Sequence, residues 1–254
     1  MKRIWPLLTL GVVAYLVFAI VTLPANAVLS RLAPRVNAAG VEGSLWNGRA
    51  QLLQVANISL GSASWNLHVL PLLLGRAQAD VKITRSDGFV QTTVTASLFS
   101  GLRFDRTTAS LPLAALPPAV VPGGWRGTLN LKLQRLVLDQ GWPVQAAGTV
   151  EALELTGPAR QPHNMGSYKV TFVEPAAATG SKTRSGNGVS GAVVDLGGPL
   201  QVAGTLQLKP ERQYLLQGNV LARPSAPASV ARTLQFLGPP EADGSRQFTV
   251  SGTL

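Results

Sequence analysis

The sequence predicts an all-β protein: a curved antiparallel sheet, open, groove-like or partly closed, with one C-terminal helix and a single transmembrane helix at the N-terminus. Three observations predict it. Apolar and polar residues alternate with period two through most of the chain. Gly, Pro, Asn and Asp punctuate those runs at short intervals. An uncharged stretch from Ile4 to Leu23 precedes them.

The N-terminal stretch comes first. At about 1.5 Å of rise per residue, Ile4–Leu23 as a helix would cover the roughly 30 Å hydrocarbon core of a bilayer. Lys2 and Arg3 favour a cytoplasmic N-terminus, a bias weakened by Arg31 and Arg35 on the other side. Ala25-Asn26-Ala27 matches the small-x-small pattern of a signal-peptidase site, but a signal core usually runs 7–15 residues and this run is longer. A retained anchor is the preferred reading. Residues 1–3 are then a cytoplasmic stub and 4–23 the anchor. Residues 24–40 form a short periplasmic linker with a brief helix over Asn26–Leu32, and 41–254 a periplasmic β-domain.

The strands follow from the alternation. Val90, Thr92, Val94, Ala96 and Leu98 alternate with polar residues, as do Leu129, Leu131 and Leu133, and Ala79, Val81 and Ile83. Tyr214, Leu216, Val220 and Ala222, then Phe248 and Val250, continue the pattern. Such alternation sends one set of side chains to each sheet face, the signature of half-buried antiparallel strands. Gly127-Thr128-Leu129, Gly148-Thr149-Val150, Gly204-Thr205-Leu206 and Gly252-Thr253-Leu254 form a weak echo, with Gly43-Ser44-Leu45 as a fifth variant. Their spacing is too irregular for a solenoid; glycines so placed mark bulges and bends that let a sheet curl.

One soluble helix stands out, with Ser225 as its cap, Pro227 near its first turn, Val230, Leu234 and Leu237 on one face, and Gly238 as its stop before Pro239 and Pro240. Pro112–Gly124 holds too many prolines for a central strand and reads as a loop. Residues 174–191, rich in Ala, Gly, Ser and Asn, read as a mobile excursion from one sheet.

Composition bounds the chemistry. The 254 residues carry 22 Lys plus Arg against 12 Asp plus Glu, with 46% hydrophobic and 13% charged residues, which excludes wholesale disorder. Zero cysteines exclude disulfides, thiolate nucleophiles and cysteine-bound metals. His68 and His163 are the only histidines and lack a second ligand at metal-binding spacing; His68 reads as an ordinary residue of a strand over Trp65–Leu70, and His163 as a loop residue. No nucleophile elbow or phosphate-cradling glycine loop occurs, and Glu151 and Glu154 would face opposite sides of a strand. The expectation is no enzyme, no metal and no cofactor. The basic residues are dispersed rather than clustered, so nucleic acid is not an expected partner; the net charge of +10 suits anionic envelope components. An outer-membrane barrel would need aromatic girdles that 6% aromatic content does not supply.

Two stretches carry a resemblance. The first is Val41-Glu42-Gly43-Ser44-Leu45-Trp46-Asn47-Gly48-Arg49-Ala50, followed by Ser64-Trp65-Asn66-Leu67 and a Leu-rich turn to Gly75. The second is Asp195-Leu196-Gly197-Gly198-Pro199-Leu200, then Gly204-Thr205-Leu206, the helix ending Leu234-Gln235-Phe236-Leu237-Gly238, Asp243-Gly244, and Ser251-Gly252-Thr253-Leu254. In this order behind one anchor, they resemble the type II secretion system protein N family, itself similar to AsmA-like envelope proteins. The resemblance implies a bitopic inner-membrane protein of a Gram-negative bacterium with a periplasmic domain. It would be an accessory component of the apparatus that exports folded proteins through an outer-membrane secretin. Its implied partners are the inner-membrane platform or the secretin. The alternative is an AsmA-like protein that binds lipid or another hydrophobic ligand in a groove lined by Leu129, Leu131 and Val94. The motif residues Gly43, Leu45, Trp46, Gly48, Trp65, Gly127, Gly204, Leu237, Gly238 and Gly252 read as structural: Trp-x-Gly is explained by a packed aromatic beside a glycine bulge.

Overall fold

The computed structural model describes residues 36–55, 58–72, 74–97, 101–116, 121, 124–158, 163–173 and 188–253, with positions 11, 15, 18, 22, 24 and 25 before them. The chain divides into two compact units, Met1–Ser86 and Asp87–Leu254. Each is a meander of antiparallel strands whose sheet neighbours are also its chain neighbours.

The first unit holds β1 (Val36–Gly43), β2 (Asn47–Val55), β3 (Ile58–His68), a helical turn α1 (Val69–Leu72) and β4 (Arg76–Thr84). β1 begins before residue 41, where the sequence reading placed the domain start. Asn37-Ala38-Ala39-Gly40 lacks the bulky residues that announce a strand, yet Asn37, Ala38 and Ala39 pair with Gln54, Leu53 and Leu52. β3 stops at His68 rather than Leu70, because Val69 and Leu70 enter α1.

The second unit holds β5 (Phe89–Ser97), β6 (Gly101–Pro112), β7 (Arg126–Asp139), β8 (Trp142–Thr156), β9 (Asn164–Phe172), β10 (Val189–Gly197), β11 (Leu200–Lys209), β12 (Gln213–Ala222), α2 (Ala228–Leu234) and β13 (Arg246–Thr253). The expected loop from Pro112 starts one residue late. Pro112 closes β6 opposite Thr128, where a missing N–H is tolerated, and Leu113–Ala115 then form a 3-10 turn. Likewise 189–191 belong to β10, whose Val189 and Gly191 are buried; residues 174–187 lie outside the described residues. β9 and β10 flank that segment and pair directly, so it divides nothing; the boundary between units falls at Ser86 and Asp87 instead.

The second unit's sheet curls. Bulges interrupt its register near Arg126, Leu133 and Val137 in β7, and between Ala152 and Thr156 in β8, and each bulge bends its strand and tightens the local twist. As a result the indole Nε1 of Trp142, at the start of β8, donates to the carbonyl of Lys209 at the end of β11, 2.8 Å away. Arg212 reaches the Gln140 carbonyl at 3.2 Å beside it. The curl gathers Leu133, Ala146, Phe172 and Val189, from four successive strands, into one cluster that Leu131, Val150, Val170, Leu206 and Leu208 surround. Burying each large apolar side chain contributes about 1.5–3 kcal/mol. Thr92 and its neighbour Thr93 are both buried, because the β5–β6 register shifts here and interrupts the expected alternation, and the Thr92 hydroxyl is satisfied on Thr107 at 2.7 Å.

The C-terminal helix is present but starts later than its sequence suggested. Pro227, not Ser225, occupies the N-cap position and makes no side-chain cap bond. Val230 of α2 packs on Leu200 and Val220, with Leu234, Met165, Val202 and Phe248 around them. Gln235–Leu237 tighten into a 3-10 turn, and Gly238, at φ 108°, ends it as expected.

Among the described residues no helix is long and apolar enough to cross a membrane. Most of the expected anchor, and the expected helix over Asn26–Leu32, lie outside the described residues.

Candidate functional site

The N-terminal motif builds a hairpin end. Gly43 and Gly48 face each other across β1 and β2, and Ser44, Leu45 and Trp46 join the two strands. Ser44 N–H donates to the Asn47 carbonyl at 2.9 Å, and Asn47 N–H donates to Ser44 Oγ at 3.2 Å. Gly43 sits at φ 90°, in the region that suits glycine, and a Cβ there would lie 2.5 Å from the Asn47 carbonyl oxygen. Glu42 and Arg49 are cross-strand partners, with Arg49 Nε donating to Glu42 Oε2 at 2.8 Å.

The aromatic beside Gly48 is Trp65 of β3, not Trp46, and Gly48 is no bulge. It pairs regularly with Trp65, whose ring covers it so closely that a Cβ would lie 2.5 Å from Cζ2. Trp65 Nε1 then donates to the Leu45 carbonyl at 3.1 Å, while Leu67 N–H donates to the Trp46 carbonyl at 2.6 Å. Trp65 therefore locks the loop that carries Leu45 and Trp46. The nearby His68 Nε2 lies 2.9 Å from Asp80 Oδ2, a cross-strand contact at the sheet end.

The same device recurs in the second unit. Gly252 lies under the ring of its partner Tyr214, and Gly191 under that of its partner Phe172. Gly204 differs: it faces Gly218, and a Cβ on it would lie 3.1 Å from the Gly218 Cα, so the pair permits close backbone approach. Of the echoed glycines, Gly127 does sit at a register shift, with φ 138°. Glu154 occupies the β8 bulge at φ 52°, whereas Glu151 pairs with Lys169 at 3.4 Å, so the two glutamates share no site.

Sequence reasoning missed a polar clamp. Asp195 Oδ1 accepts from Val202 N–H at 3.1 Å, and Asp195 Oδ2 from Arg223 Nη2 at 2.7 Å. Arg223 Nη1 also donates to the Gly198 carbonyl at 2.9 Å, and Arg223 N–H to that of Pro199 at 2.8 Å. The motif Asp195–Leu200 is thus a β10–β11 turn tied to the end of β12. The Asp195 side chain is only 10% exposed. Burial opposes its ionisation, but the hydrogen bond from Arg223, the Val202 N–H and the guanidinium charge outweigh it and hold its pKa below the ordinary carboxylate value. Burial, reinforced by the Asp195 charge, pushes the neighbouring Tyr168 hydroxyl up. That hydroxyl donates to the Met165 carbonyl at 2.6 Å. Asp195 stood in a quoted motif, but its partner is 28 residues away and no local signal named it.

Two apolar features face outward. In the first unit Val69, Leu70 and Leu74 of the Leu-rich turn are exposed, the last two by 78% each. In the second, Phe236 is 90% exposed and Leu237 projects beside it at the end of α2. The expected groove residues Leu129, Leu131 and Val94 are half-buried. A depression of about 420 Å³ in the first unit is lined by Arg49, Gln51, Ser62, Ser64, Lys82 and Thr84 over Ala50 and Ala63. Among the described residues no group of three or more His, Asp or Glu is placed to hold a metal ion. His163 lies in a loop, 3.3 Å from Ser229 of α2.

Comparison with known proteins completes the picture. A family model described as type II secretion system (T2SS), protein N, matches residues 34–249. The type II secretion system protein N of Aeromonas hydrophila is 28% identical over 96% of both chains. Its namesake from Vibrio cholerae serotype O1 is 28% identical over 92% of both. No solved structure matches. The hairpin motif from Gly43, the Asp195 turn and the α2 terminus all fall inside the matched span, and this chain belongs to the type II secretion system protein N family.

Proposed function

We propose that this accessory component of the type II secretion system is a non-enzymatic docking protein of the cell envelope. The Ile4–Leu23 segment holds it in the inner membrane, and its two β-units stand in the periplasm. The uncharged run and the preceding Lys2 and Arg3 support that placement. Residues 1–3 would be the cytoplasmic stub, and the linker expected over 24–40 would end where β1 begins at Val36.

The observation that carries docking is Phe236. A phenylalanine 90% exposed, next to exposed Leu237 in the 3-10 turn that follows α2, is an aromatic anchor without a pocket in its own chain. Its partner would be another secretion protein, of the inner-membrane platform or the secretin. A photocrosslinkable residue at Leu237 should capture such a subunit in cells, and the same chain carrying Phe236→Ser should lose that capture while the protein stays folded. Capture unchanged in Phe236→Ser would reject the reading.

A second reading, lipid binding on the second unit's sheet, is favoured by one fact. Helix α2 covers the Leu200–Val220 end only, and no large side chain among the described residues is fully buried. Native mass spectrometry of the full chain from membranes should then show bound lipid; a lipid-free protein would reject it.

A further inference from the structure

The Leu-rich turn does not stand apart from the N-terminal segment. Pro24, the residue that follows the uncharged run, makes an antiparallel bridge with Ser44, and Ala25 beside it is fully buried. The segment therefore meets the sheet at the β1–β2 loop. That loop is bonded to the end of β3 through Leu67 and Trp46, and β3 runs straight into α1. The same end of the first unit thus receives the apolar segment and projects Val69, Leu70 and Leu74. Of the segment itself, Tyr15 and Phe18 are exposed by 70% and 66%, and Thr22 N–H donates to the Phe18 carbonyl in a helical turn.

The described residues of the turn are hydrogen-bonded to one another. Leu74 N–H donates to the Pro71 carbonyl and Gly75 N–H to that of Leu72, each at 3.0 Å. Gly75, at φ 70°, lets the chain reverse with open space around it. Arg76 follows at once, exposed, at the start of β4. An ordered apolar tip with a cation at its base matches a bilayer interface, where leucines enter the acyl boundary and a guanidinium meets anionic headgroups.

We propose that the Val69–Gly75 turn is a second membrane contact, inserted in the leaflet that the N-terminal segment leaves at Pro24. The inference rests on the anchored reading above and adds to it: the first unit lies against the bilayer instead of hanging from a flexible tether. Leu70 and Leu74 would sit about 5–10 Å into the headgroup–acyl boundary.

The absence of native cysteine makes the test clean. Full-length chain carrying Leu74→Cys is labelled with an environment-sensitive fluorophore in nanodiscs of phosphatidylethanolamine and phosphatidylglycerol. Ser59→Cys, at the far end of β3, is the reference, and Leu70→Cys a second tip position. Blue-shifted emission at both tip positions, quenched by lipids with a nitroxide near the headgroup and unchanged at Ser59→Cys, is the expected result. Water-like emission at the tip in chains that remain in the nanodisc would overturn the proposal and leave the anchor standing. A blue shift without quenching would mean protein contact and would overturn it too. Failure of every variant to enter the nanodisc would reject the anchor, and the proposal with it.

Discussion

In residues 87–254 the buried apolar set includes Leu133, Phe172, Val189, Leu200 and Val220; among the described residues of 1–86 it is Ala25, Ala50 and Ala63. Both units are antiparallel meanders with glycines under cross-strand aromatics, so strand chemistry does not separate them. Cover does. Bulged β7 and β8 curl the second unit until Leu206 and Leu208 of β11 join the Leu133 cluster, and α2 closes one end. The first unit has no long helix over its sheet among the described residues, and Val69, Leu70 and Leu74 of its turn are exposed. One region encloses a core of large apolar side chains, whereas in the other Val69, Leu70 and Leu74 face outward.

The largest effect should come from breaking the curled core. Phe172 is 9% exposed, between Gly148 on β8 and Gly191 on β10. Phe172→Ala should cost about 3–5 kcal/mol, read as a lower urea midpoint in mild detergent. A cost below about 1 kcal/mol would mean that the second unit has no such core.

Next comes the clamp at α2's end of the sheet. Arg223→Ala removes the strongest partner of a buried carboxylate and should cost about 1.5–3 kcal/mol near neutral pH. Because Asp195 is held below its ordinary value, its ionised form stabilises the fold. That contribution is complete above the unfolded carboxylate pKa of about 3.9 and disappears as pH falls through the lower folded value. Acid titration of stability should therefore be shallower below about pH 4 in Asp195→Asn than in the parent. Equal slopes would remove Asp195 from the account.

The smallest effect sharpens the other side of the comparison. Trp65→Phe keeps an aromatic over Gly48 but loses the bond to the Leu45 carbonyl, for about 1 kcal/mol. Amide exchange should quicken at Ser44–Asn47 with little change around Phe172. Matching acceleration in both units would show that the hairpin is not a local lock.

Much of this was legible in residues. Period-two alternation named the strands holding Leu129–Leu133 and Tyr214–Ala222, and Gly238 with two prolines marked the helix stop. β1 was not legible before residue 41 because its alanines pack as well exposed as buried. Ser225 looked like a cap because its side chain suits one, but the turn before α2 leaves Pro227 at that position. The candidate surfaces were half visible: Phe236 and Leu237 stand in one motif of the sequence, but only the structure exposes Phe236 by 90%.

The sequence alone determined the all-β class, the order of its motifs and hence the family, because alternation, punctuation and motif order are properties of a line of residues. Only the tertiary structure decided that Trp65 rather than Trp46 covers Gly48, that Asp195 meets Arg223, and that Trp142 reaches Lys209. Each joins residues that strand register and sheet curvature bring together across 17 to 67 positions, Trp65 lying 17 beyond Gly48 and Lys209 lying 67 beyond Trp142. Register and curvature arise from summed bulges and twists, which no local window of sequence contains.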